Sequence, residues 1–467
     1  MYTAGLNFQQ YNYNTTRARH VSGVKNDEVK QVKTPAFTSN PITNVPYNPT
    51  LTSSDLRTRL SSKPEKDKYN FLQKNLDKVS KKQLKELLNS GILLNANSND
   101  KSTVLDNLYK IASTPRAQGL SNAGILKDTI EVLADPFSIT QQFGDIPAQY
   151  QKALQEQFIK ENNLNPVNAS DQIKAQNSVN VEHSGTCVAS SIEFNLAKKM
   201  PAEFARFAEG LSSPKMSVEK EIKLKNLADN TLDGIWLLNA FEIPYEMNNF
   251  DSAKLKFAPD KNAIIRAQIQ TKHKDANERS ALDVLMQSTM MQVGSQQSYD
   301  SVSDKRKGKF NQNDKGLIEF EKTFTESVVE DKNKISVTYQ TVDENARLIG
   351  YETDFETMKR QITDALNMNE NVIIGYTQVD DKNEIINGHE ITIIGQKYDK
   401  NGKLIFICND TDDDIPRAIE YSAEYLLPKI HHAGLPQAVV KDDVKLVENW
   451  VEGLNTYNQM RHSKQAA

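Results

Sequence analysis

Three short stretches hold the residues whose types could do covalent chemistry. Cys187 is one of only two cysteines and stands in "HSGTCVASS", residues 183–191. Val188, Ile192, Leu196 and Met200 come after it at four-residue spacing, which predicts a helix packed along one face, with Cys187 in its first turn. A helix N-terminus favours negative charge and draws a thiol toward thiolate, and Gly185 lets the backbone approach a substrate closely. A buried, inert thiol is the commoner state of a free cysteine, so this stretch alone leaves both readings open. His389 stands in "INGHEITIIG" at the opening of an apolar strand, where an imidazole can take a thiol proton or pair with a thiolate. A structural histidine at a strand end fits the same pattern. Asn409, in "LIFICNDTDD", ends the next strand. The two strands are joined by "DKNG", a hairpin turn, so His389 and Asn409 fall at the same far end of the ribbon. An amide there can orient the ring. Asp410 could do so equally, and an Asn-Asp pair is also a common turn former.

Other polar groupings carry less. The adjacent His431 and His432 in "LPKIHHAGLP" are expected in a surface turn rather than at a metal, since neighbouring side chains diverge and no carboxylate motif stands at ligand spacing. No metal site and no cofactor is expected. "DTDDDIP" (410–416) lacks the glycine and distal glutamate of a calcium loop. "SDKRKGK" (303–309) reads as a solvated basic loop. Trp236, Phe241, Met286, Met290 and Met291 read as core residues.

Elements must position these groups. Residues 1–66 are rich in Asn, Thr, Ser and Pro without apolar periodicity and read as a disordered tail. Residues 67–165 turn helical: "SKKQLKELLNSG" carries the stripe Leu84, Leu87, Leu88, and "STVLDNLYKIAS" carries Leu105, Leu108 and Ile111. These stripes are small for a core of their own, so the module is expected to dock on the next unit of the chain. Residues 166–440 form that main unit, helical to about 300 and β-rich from about 333, with "DFETMKRQITDALN" as a helix among the strands. "NQNDKGLIEFEKTFTESVVEDKNK" (311–334) reads as an insertion or edge hairpin, and 441–467 as a C-terminal helix or tail. The fold class is α+β.

Composition narrows the function. A net charge of −4 and a pI near 6.1 give no footprint for nucleic acid or an anionic membrane. Two cysteines do not make a disulfide framework. No apolar stretch is long enough to span a bilayer, and the N-terminus "MYTAGLNFQQYNYNTTRARH" has no secretory h-region, so the expected location is the cytoplasm.

Together the three stretches resemble the papain-like cysteine proteases over about 180–430. Gly185, Thr186, Cys187, Ala189 and Ser191 match that family's nucleophile segment; Gly388, His389 and Gly395 match its histidine block; Asn409 matches its orienting asparagine. The resemblance implies a two-lobed fold, a helical half with a central Cys helix on an antiparallel β half. It also implies a Cys187–His389–Asn409 triad hydrolysing peptide bonds through an acyl-enzyme, with a peptide or protein as substrate. Departures are specific. The family's helper glutamine, six residues before the cysteine, falls on Val181, with Asn180 one residue away as the oxyanion candidate. Val188 replaces an aromatic residue, and no Trp follows Asn409. Loss of one oxyanion donor costs on the order of 100- to 1000-fold in rate. A catalytically dead interaction module and a transglutaminase-like acyl transferase are the alternatives.

Overall fold

The computed structural model describes residues 56–440 apart from 143–151, 153, 154, 157, 161, 180–183, 229, 274–277, 307–315, 318, 344, 346 and 413–416. The expectations for residues 1–55 and 441–467 lie outside the described residues.

Four helices open the described chain: α1 (Lys63–Asn75), α2 (Lys78–Asn89), α3 (Val104–Ser113) and α4 (Asn122–Ala134). The expected tail boundary at 66 is therefore late. Ser62 caps α1 through a capping box with Glu65, so the helix starts among residues whose composition looked unstructured. Thr103 and Asp106 make the same reciprocal cap on α3. After α5 (Ala169–Val179) come α6 (Cys187–Lys199) and α7 (Pro201–Ser212). Every residue of α6 is buried, as a helix surrounded on all sides must be. The stripes Leu84–Leu87 and Leu105–Leu108–Ile111 lie in one continuous apolar cluster with Val188, Ile192, Phe194, Phe204 and Phe207 of α6 and α7. Polar ties run the same way: Asn99 donates its N–H to Glu203 (2.9 Å), and Arg116 donates to the Glu209 carbonyl (2.7 Å).

The expectation that helices fill 180–300 needs one correction. Strands β1 (Val218–Lys223), β2 (Tyr245–Met247) and β3 (Ser252–Phe257) form a three-stranded antiparallel sheet in the order β1-β3-β2, with α8 (Thr231–Ala240) between β1 and β2. Along β1 the inward positions are Val218, Lys220 and Ile222. The buried lysine broke the apolar alternation that would have marked the strand; its ammonium sits 3.8 Å from Glu203 and donates to the Val329 carbonyl. Next come α9 (Ala263–His273), α10 (Ala281–Gly294) with Met286, Met290 and Met291 in the core, the short pair β4 (Tyr299–Asp300) and β5 (Lys305–Arg306), and α11 (Glu319–Glu330).

Helix α11 replaces the expected insertion or hairpin. Phe324, Val328 and Val329 are buried in the main core, and Phe241 stacks on Phe324 at 3.8 Å between centroids. Its Glu321, Lys322 and Glu326 are equally buried, in ion pairs with Arg306, Glu390 and Lys334, so a helix enclosed from Glu321 onward kept a polar composition. The segment at 303–309 is likewise not a solvated loop where described: Ser303, Asp304 and Arg306 are buried.

The β half is a six-stranded antiparallel sheet ordered β12-β11-β10-β9-β13-β6. It comprises β6 (Lys334–Thr338), β9 (Val372–Val379), β10 (Ile385–Tyr398), β11 (Leu404–Asn409), β12 (Ile419–Ser422) and β13 (Ile430–Pro436). A two-stranded ribbon, β7 (Gln340–Val342) and β8 (Leu348–Tyr351), precedes α12 (Phe355–Asn367). Ile373 and Ile394 join the core shared with α6 and α11, while Ile374, Ile391 and Ile393 join a second core with Met358 and Ile362 of α12. The architecture is therefore mixed α+β, a sheet between helical layers. No helix among the described residues is long and apolar enough to cross a membrane.

Candidate active site

Cys187 is the first residue of α6, and 9% of its surface is exposed. The three residues before it are each fixed by a hydrogen bond. Ser184 donates to the Gln141 carbonyl (2.5 Å), the Gly185 N–H donates to the Asp304 carboxylate (2.6 Å), and Thr186 donates to the Gln287 side chain (2.8 Å). Thr186 holds the N-cap position but makes no side-chain cap, so its hydroxyl leaves the first-turn N–H groups around Cys187 uncovered. Gln287, on α10, also donates to the Thr140 carbonyl (2.9 Å) and to Glu193 of α6 (3.1 Å). Burial, reinforced by neighbouring Asp283, pushes the Glu193 carboxyl well above its ordinary range. Asp304 accepts a second bond from the Tyr299 hydroxyl (2.8 Å), which fixes it against Gly185.

His389 lies within β10 opposite Tyr376 of β9, rather than at the strand's first residue, because pairing extends back to Ile385. Its Nε2 is 2.7 Å from Oδ1 of Asp410. The Cys187 thiol is near enough to the ring to raise its affinity for a proton. The side chains of His389 and Asp410 are 15% and 17% exposed, which leaves the site enclosed but reachable. Burial would favour the neutral ring; the Asp410 carboxylate and the Cys187 thiol overcome it and hold His389 well above the ordinary histidine value. Burial works against the Asp410 charge too, yet His389 and the Asp412 N–H hold that carboxyl below its usual range.

Asn409, the expected orienter, does not reach the ring. Asn409 stands opposite Thr392. His389 is three residues from Thr392, so it projects from the other face of the sheet, and Asp410, one residue on, turns to the face of His389. The cause is a register shift between Ile393 and Gly395, which inserts one extra residue in β10. Without it Asn409 would pair with Ile393 and share the histidine's face. Asn409 is instead buried, and its Nδ2 makes no hydrogen bond. Asn180, the oxyanion candidate, and Val181 lie outside the described residues.

An amide that no motif announced lies close by. Gln141, 46 residues before Cys187, is 5% exposed, and its Oε1 accepts from the Thr411 hydroxyl (3.1 Å). Its N–H donates to the Thr411 carbonyl (2.9 Å), and Thr411 Oγ1 is 2.7 Å from Ser190 Oγ, one turn along α6 from Cys187. Gln141 therefore ties the loop before Cys187 to the residue after Asp410. The other cysteine, Cys408, is fully buried, and burial pushes its thiol far above the ordinary range.

The chain matches no family model, no curated protein and no solved structure.

Proposed function

We propose that the protein is a cysteine peptidase of papain-like architecture, with Cys187 as nucleophile, His389 as proton carrier and Asp410 as the ring's orienter. The observation that carries this is the His389 ring held by a carboxylate on Nε2, with the Cys187 thiol, at a helix N-terminus, near enough to raise the ring's proton affinity. A buried structural cysteine needs neither partner. The raised affinity of the ring for its proton suits the imidazolium half of a thiolate–imidazolium pair.

In the proposed reaction the sulfur forms a C–S bond to the scissile carbonyl carbon, and the C=O pair moves onto oxygen. The oxyanion is received by the Cys187 N–H at the start of α6 and by Nε2 of Gln141, whose Oε1 is already held by Thr411. Collapse breaks the C–N bond, and the leaving amine takes the His389 proton. Water then gives a proton to His389, attacks the thioester and releases the acid and the thiol. Incubation with a fluorogenic peptide mixture should give turnover that Cys187→Ala and His389→Ala both abolish. A wild type that neither turns over nor reacts with a thiol-directed electrophile is the inert interaction module instead.

A carboxylate rather than an amide at the orienting position supports a second outcome at the same thioester, transfer of the acyl group to an amine, as in transglutaminase-like enzymes. A primary amine added to the peptide assay distinguishes the two by the product it yields. The four-helix segment is proposed to dock structurally on the catalytic half rather than to cover its site.

A further inference from the structure

The two histidines expected in a surface turn are in the interior. His431 and His432 lie in β13 and are 1% and 7% exposed. Adjacent strand residues normally point to opposite faces. Here the pairing with β9 runs from Ile430–Tyr376 directly to His432–Gly375, so one extra residue bulges out of β13 at His431. The bulge brings the two rings together, with their Nδ1 atoms 3.0 Å apart. Oε1 of Glu319, in the first turn of α11, is 2.9 Å from Nδ1 of His431 and 3.6 Å from Nδ1 of His432.

We propose that Glu319, His431 and His432 form a binding site for a divalent zinc-type transition metal, separate from Cys187. The three ligand atoms converge on one point with separations of 2.9, 3.0 and 3.6 Å. Ligands about 2.0–2.1 Å from a tetrahedral zinc are about 3.3 Å apart, so the observed triangle is the face of such a polyhedron. Two neutral imidazoles and a carboxylate are a donor set that zinc accepts, with the fourth position left to water. Two of the three ligands are held from behind. The far nitrogen of His432, Nε2, is 2.9 Å from Oε1 of Glu390, an ion-pair distance that sets a carboxylate behind the ring, as at metal-bound imidazoles. Glu390 is itself paired with Lys322 at 3.2 Å. Oε2 of Glu319 accepts from Thr338 (3.0 Å), which aims Oε1 at the rings. Gly375 makes the room: a Cβ there would lie 2.3 Å from Cε1 and 2.6 Å from Nδ1 of His432. These three ligand atoms are also the one grouping among the described residues with metal-type convergence. The ion would clamp the start of α11 to β13.

The test is elemental analysis and Co²⁺ titration of the full-length protein after chelation. The expected result is one equivalent of Zn²⁺ or Co²⁺ per chain, with tetrahedral Co²⁺ absorption and no thiolate charge-transfer band. Cys187→Ala should keep that equivalent and His432→Asn lose it, while Glu390→Gln should bind roughly 10- to 100-fold more weakly. If His432→Asn does not fold, the wild-type Co²⁺ spectrum and the Cys187→Ala stoichiometry still decide. Absence of stoichiometric binding by folded wild type overturns the proposal, and so does a thiolate band or loss of the ion in Cys187→Ala.

Discussion

Asp410→Asn and Asn409→Ala, made side by side, separate two neighbours that a sequence motif cannot. Asp410 supplies a charge-assisted hydrogen bond of 2.7 Å to Nε2 of His389, in a site where both side chains are mostly enclosed. Such a bond contributes about 1.5–3 kcal/mol, so replacing the carboxylate with an amide should lower the thiolate–imidazolium population by about 10- to 150-fold. The assay is iodoacetamide labelling of native protein, read by mass at Cys187; Cys408 is fully buried and silent under the same conditions. Near pH 6, Asp410→Asn should label at least tenfold more slowly than wild type, and the gap should close toward pH 9–10, where an ordinary thiol ionises unaided. Asn409→Ala should label at the wild-type rate, because its side chain faces away from the ring. Equal slowing in both variants, or slowing in Asn409→Ala alone, would refute the register argument and the role given to Asp410.

Three further outcomes rest on the same contacts. Gln141→Ala should cost on the order of 100-fold in peptide turnover while leaving Cys187 labelling intact, since the role proposed for the amide is on the oxyanion and not on the thiol; equal loss of both would make Gln141 only a structural tie. Leu108→Ala should destabilise the main unit itself by about 2–5 kcal/mol in denaturant unfolding, and removal of residues before 165 should give an insoluble fragment, because Leu108 is fully buried in the core that holds α6; a soluble fragment with faster labelling would favour autoinhibition. His389 is held above the ordinary histidine value near 6.5 and Asp410 below the ordinary aspartate value near 3.9. The pair's contribution to stability is therefore present between those ordinary values, is lost as pH falls through the depressed Asp410 value, and is lost as pH rises through the raised His389 value. Wild type minus Asp410→Asn, compared by thermal melting across pH, should show that plateau, and a flat difference would contradict it.

Sequence patterns encode local properties, and that decided how much of the fold and site was legible. The α6 stripe, the "DKNG" turn and the apolar strands around His389 were readable because period and turn chemistry are local. Gly402 does adopt the left-handed conformation the turn needs, at φ 77°. The choice between Asn409 and Asp410 was not readable, because one bulged residue near Ile394 flips which neighbour shares the face of His389. The same blindness hid the convergence of His431 and His432, where a second bulge brings together side chains that alternation would separate. Helix α11 and strand β1 escaped for another reason. Glu321, Lys322, Glu326 and Lys220 are buried as partners, and a pairwise compensation between distant residues leaves no periodicity in either segment. Gln141 carries no motif at all; only its bonds to Thr411 and Ser184 tie it to the segment before Cys187.

The central claim is that Cys187, activated by His389, carries an acyl group. Acid-quenched reaction with p-nitrophenyl acetate tests it directly. The account predicts a burst of one equivalent of nitrophenol and a hydroxylamine-labile acyl group on the peptide containing Cys187, with the burst abolished in Cys187→Ala and slowed at least tenfold in His389→Ala. Absence of a burst, an acyl group on any other residue, or an undiminished rate in His389→Ala would contradict it.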